Sequence, residues 1–77
     1  MTLLEGKIGE TYVVQKTTLP LQVEKRMEAL GMIQGTQIKI IHKKGRGALV
    51  ILLRGTRFAV GKGIVSSIEI EGASHEK

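Results

Sequence analysis

The sequence contains no cysteine, asparagine, aspartate or tryptophan, one proline, and only Tyr12 and Phe58 as aromatics. Without cysteine there is no disulfide to compensate for a small core and no thiolate for nucleophilic or metal chemistry, and the chain suits a reducing cytoplasm. Without asparagine and aspartate, the non-glycine residues that best tolerate positive φ are missing. Nearly every left-handed turn position is then expected to fall to glycine, and the ten glycines read as turn punctuation. Two aromatics leave almost nothing for the stacking platform of an RNA-binding barrel, or for an aromatic groove that grips proline-rich peptides. The longest apolar run, Ala48 to Leu53, is six residues, against the roughly 20 that a transmembrane helix needs, so no membrane insertion is expected. The opening MTLLEGKIGE meets charge and glycine at once and lacks the apolar stretch of a secretory signal.

What is present suits one small globular domain. Seventy-seven residues, 42% hydrophobic and 25% charged, are expected to form a single domain over 1–77, with a core of about 3–71 and a disordered tail at 72–77. Residues 7–14, KIGETYVV, group β-favouring side chains after Gly9 and predict a first strand. Val23, Met27 and Leu30 recur at helical spacing, so one helix is predicted over Leu21 to Leu30, with Pro20 tolerable at its start and Thr18 as a capping hydroxyl. Gly31 stands where a helix-ending residue turns left-handed, and Gly35 where a turn feeds a strand over 36–43. KKGRG at 43–47 reads as a hairpin connection into the strand ALVILL at 48–53. RGT turns the chain again into RFAV, GKGIVSS makes a turn or single helical turn, and SIEIE closes the sheet. About five short strands and one helix, with glycines at the corners, predict a small β-barrel.

Catalytic and metal constellations are thin. Two histidines and seven glutamates are the titratable groups available for acid–base work. His42 falls at a strand end beside Lys43 and Lys44, and His75 in the tail, which is the pattern of solvated residues and not of an enzyme. No two histidines stand at ligand spacing; Glu69 and Glu71 share a strand face, with His75 and Glu76 nearby in sequence, but a solvated face explains them as well. No metal site and no cofactor is expected. The glycine–lysine pairs lack the spacing of phosphate-binding loops.

Charge is more informative. Between Ala29 and Ile68 there is no acidic residue, while Lys39, Lys43, Lys44, Arg46, Arg54, Arg57 and Lys62 all fall there. A one-sign field of this kind attracts nucleic acid, anionic headgroups or an acidic protein surface. The aromatic poverty makes nucleic acid the weaker candidate.

The segment RMEALGMIQG, 26–35, resembles the signature of the FeoA family: Arg26, Met27, Leu30, Gly31 and Gly35 match its pattern, with Gln34 in place of the usual proline. LVILLRGTRFAV is similar to the family's strand ending in Arg-Gly, here Arg54 and Gly55, and SIEI to its last strand, so the likeness spans about 3–71. GKGIVSS departs from the family's helix-like turn ending in alanine. The resemblance implies an SH3-like barrel of about five strands with one short helix inserted after the first strand. It further implies a cytoplasmic accessory or regulatory protein that contacts the cytosolic region of a ferrous iron transporter carrying a GTPase domain. Catalysis is not implied, and although the family is associated with Fe(II), direct binding is not expected here. Two alternatives stay open: a small basic barrel binding RNA or a ribosomal partner, and a stand-alone relative of the C-terminal domain of iron-dependent repressors.

The strand ALVILLRG sorts into Leu49, Ile51 and Leu53 on one face and Ala48, Val50, Leu52 and Arg54 on the other. Arg54 marks the second set as outward, because an unpaired charge is rarely buried. Val50 and Leu52, with Arg54 and Arg57, are then candidate contacts for a partner or for a second copy in a homo-oligomer, unless the helix packs over them as a second core.

Overall fold

Alternate residues of every strand feed one core. The computed structural model describes residues 1–72; the predicted tail, including His75 and Glu76, lies outside the described residues. A 3-10 turn at Leu3–Glu5 leads into β1 (Thr11–Thr17), α1 (Leu21–Ala29), β2 (Gln37–Lys43), a second 3-10 turn at Gly45–Gly47 in which Arg46 takes φ 67°, β3 (Leu49–Leu53), β4 (Thr56–Val60), the one-turn α2 (Lys62–Val65) and β5 (Ile68–Gly72). The strands form an antiparallel sheet in the order β4-β3-β2-β1-β5. Val14, Ile38, Ile51, Val60 and Ile68, one from each strand, belong to one buried cluster. In a flat sheet the outer strands would lie about 19 Å apart, four strand spacings, so the sheet must curl around its own inner face. The expected mainly-β barrel with one short inserted helix is what forms.

β1 begins at Thr11, not within 7–10. Gly9 takes a positive φ of 88° in a turn where Glu10 N–H donates to Lys7 O at 3.2 Å, which stops a strand from starting earlier. At its other end β1 runs past the polar Gln15 and Lys16, because a register shift between Val14 and Lys16 keeps it paired with β5.

α1 matches the expected span, but Thr18 does not cap it. Pro20 occupies the cap position, and the Thr18 hydroxyl donates to Ser67 O at 3.3 Å instead; the neighbouring Thr17 hydroxyl reaches Glu24 Oε2 at 2.9 Å. The C-terminus ends as a paired-bond left-handed cap: Gly31 N–H donates to Glu28 O and Met32 N–H to Met27 O, both at 2.9 Å. That geometry corrects the predicted core face. Leu30 is 39% exposed, whereas Met32, swung back beneath the helix by Gly31, is buried with Met27. Gly31 has φ 104°, which favours glycine, and a Cβ there would sit 2.5 Å from Cδ of the Arg54 side chain, which would have to move aside. Gly35 (φ 90°) donates to Val14 O at 2.8 Å and delivers the chain into β2.

Leu3, outside every strand and helix predicted from the pattern, is fully buried. Its 3-10 turn is braced where the Thr2 N–H donates to Glu5 Oε1 at 2.6 Å, the reciprocal bond of a capping box.

Candidate partner-binding face

The faces of β3 fall as the alternation predicts. Leu49, Ile51 and Leu53 are at most 1% exposed, while Val50 and Leu52 are half-buried on the outer side. Across the ladders Leu52 lies between Lys39 of β2 and Arg57 of β4, and Val50 between His42 and Ala59. A register shift between Ile40 and His42 also turns Ile41, half-buried, toward Leu52 and Arg57. Leu52 and Lys39 stand between two shallow depressions, one of about 410 Å³ reaching Thr36 and Arg54, the other of about 390 Å³ reaching Ile41 and Arg57.

α1 does not cover this surface. Its Met27 and Leu30 line a cleft with Ile51, Leu53 and Phe58, residues of the inner face, so the helix closes the barrel's end and leaves Val50 and Leu52 outward. Arg57 projects beside Leu52, in register with it. Arg54 is placed differently from its three companions: it sits in the β3–β4 turn with φ 54°, its stem over Gly31, and it rims one depression from the side. Gly55 (φ 84°) completes that turn, the two successive positive φ values that join twisted strands through two residues. Of the motif residues, Gly31, Gly35 and Gly55 therefore make turns, and Arg26 is exposed on α1.

The electrostatics of the face follow from the sheet order. β2, β3 and β4 are consecutive neighbours, so the acid-free stretch becomes one contiguous half of the sheet. Among the described residues the one ion pair joins the N-terminal amine to Glu69 Oε1 at 3.8 Å, and none of the seven cations of the basic half is neutralised by a carboxylate. Glu69 is thus engaged at the far edge of the sheet. Among the described residues no three His, Cys, Asp or Glu side chains come together as a metal would require, and no helix is long and apolar enough to cross a membrane.

Comparison with known proteins assigns this arrangement to a family, since the FeoA domain model matches residues 1–72. The chain belongs to the FeoA family. It is 28% identical over 70 residues to a protein of Methanocaldococcus jannaschii provisionally named Fe(2+) transport protein A, covering 91% of this chain and 84% of that one. The FeoA protein of Chlorobium tepidum superposes with a TM-score of 0.90 at 19% identity, over 100% of this chain and 74% of the other. The FeoA of Stenotrophomonas maltophilia, solved with zinc and described as an SH3-domain protein suggested to activate ferrous iron transport, gives 0.79 at 22% identity, over 92% and 89%. The fold is accordingly SH3-like, and the family is one linked to ferrous iron transport.

Proposed function

We propose that this chain acts as a single-domain cytosolic accessory protein of ferrous iron transport, regulating a GTPase-bearing membrane transporter by docking on its cytosolic region. The proposed contact is the outer face of β2–β4, with Val50 and Leu52 at its centre and Arg57 and Arg54 beside them. The observation that carries the reading is an apolar pair left outward by the fold, of which Leu52 stands in register between Lys39 and Arg57. Desolvating such a pair supplies affinity, and the flanking cations select an acidic surface and steer its approach. Nothing in this face moves a proton or makes a bond, so the role is binding.

Calorimetric titration with the transporter's cytosolic region tests the proposal. Saturable binding that Leu52→Glu weakens by about tenfold or more supports it. Absence of binding to that region, together with RNA binding that falls steeply with added salt, would replace it with the nucleic-acid reading.

A further inference from the structure

The two outer strands of the sheet are finished differently. On β5 the open edge is already engaged, since Ile70 N–H donates to Met1 O at 2.8 Å and Thr2 bridges Glu69. Among the described residues the edge of β4 carries no such cover. The β3–β4 turn at Arg54 and Gly55 is a two-residue hairpin, so Leu53 and Thr56, which flank it, are the hydrogen-bonded pair and the pairs alternate from there. Phe58 and Val60 then bond back to β3, while Arg57 and Ala59 turn their N–H and C=O groups away from it. Among the described residues, neither Arg57 nor Ala59 makes a hydrogen bond to any other element. β4 also lacks the usual protections of an edge: its ladder has no register shift, its sequence no proline, and Arg57 is its one charge.

What lies on either side of this edge defines what could pair with it. On the inner side is an apolar cleft of about 110 Å³ lined by Met27, Leu30, Phe58, Val60 and Ile64. On the outer side Arg57 projects, with Lys39 beyond Leu52; Arg54 precedes the strand and Lys62 follows it. A strand added to β4 would place alternate side chains on these two sides. We infer that the β4 edge is a strand-addition site for an extended segment of a protein partner in which carboxylates alternate with apolar side chains. Carboxylates would lie beside Arg57, apolar groups over the Leu30–Phe58–Ile64 cleft, and the backbone would satisfy Arg57 and Ala59. A second copy of this chain is the poorer occupant, because the pairing would bring together two acid-free halves of molecules that each carry a net charge of +5.

This inference does not rest on the transporter reading, since its test uses a peptide. The probe is a short synthetic peptide of alternating glutamate and leucine, titrated into the isotope-labelled protein, with an alternating lysine–leucine peptide and a backbone N-methylated acidic peptide as controls. The expected result is slowing of hydrogen exchange at the Arg57 and Ala59 amides by about tenfold or more, with the acidic peptide only. Ala59→Pro removes an outward N–H without breaking a bond to β3, so it should keep the melting temperature and lose the binding. Should that variant fail to fold, Arg57→Glu serves instead: it should reverse the preference between the acidic and lysine peptides. Equal binding by the N-methylated peptide, no preference between the two charged peptides, or unchanged binding in Ala59→Pro would each overturn the inference. So would a dimer in which the same amides slow without peptide, or an RNA oligonucleotide that slows them as well as the acidic peptide does.

Discussion

Leu52 and Leu53 are adjacent leucines on which the same substitution should have opposite consequences. Leu53 is 1% exposed and belongs to the barrel core; Leu52 is half-buried between Lys39 and Arg57. Replacing Leu53 with glutamate forfeits about 1.5–3 kcal/mol of side-chain burial and adds a carboxyl with no partner, at a cost of several kcal/mol more. For the 72 described residues a total stability of about 4–11 kcal/mol is expected, so Leu53→Glu consumes most of it. Its melting temperature should fall by about 20 °C or more, or the protein should not fold. Leu52→Glu loses about 1 kcal/mol of partial burial, and cross-strand pairing with Lys39 and Arg57 returns about 0.2–1 kcal/mol for each pair. The melting temperature should therefore move by only a few degrees while partner binding weakens. Circular dichroism melts and the transporter titration, run side by side, decide the matter. If Leu52→Glu unfolds and Leu53→Glu is tolerated, the assignment of faces is reversed and the interface on β2–β4 is lost with it.

Gly31→Ala should destabilise more than Gly35→Ala. Both meet a Cβ penalty of about 1 kcal/mol at positive φ, but only at Gly31 must Arg54 also be displaced; equal melting temperatures would deny the close approach. Met32→Ala should cost about 2–5 kcal/mol as a core truncation, and Leu30→Ala well under half of that because Leu30 is 39% exposed, a ranking that urea denaturation can test. Calorimetric titration of the monomer with Fe(II) or Zn(II) should show no tight stoichiometric site. Sub-micromolar binding abolished by His42→Ala would refute that.

Most of the fold was legible because its signals are local. The positive φ at Gly31 and Gly35 follows from a composition without asparagine or aspartate, and the inward set on β3 from period-2 alternation closed by an arginine. The misses have physical reasons too. Helical spacing extended to Leu30 selects that residue for the core, yet the cap reverses the chain and seats Met32 there instead. The rule that the residue directly after a left-handed C′ glycine packs on the last turn would have found it. Leu3 could have been found from TLLE, a capping-box spacing at the chain's start. Ile41 joining the outer face was not legible, because the bulge that turns it is set by pairing between distant strands and has no signature within β2.

The candidate face owes its charge to topology as much as to composition. Residues 1–28 carry four acidic and four basic side chains, and the seven uncompensated cations all follow. Had an acid-free strand been paired with β5, its cations could have faced Glu69 or Glu71 across the ladder, and part of the field would have cancelled locally. The order β4-β3-β2-β1-β5 instead keeps β2, β3 and β4 together and puts Glu69 and Glu71 on the opposite edge strand. With two aromatics in the whole chain, this barrel lacks the stacking groove by which other small barrels hold their ligands. On the proposed reading, recognition draws on an apolar pair, a backbone edge and a long-range field. Of these only the field acts before contact, so charge reversal at Lys39 or Arg57 should slow association and reduce its salt dependence, whereas the uncharged truncation Leu52→Ala should chiefly hasten dissociation.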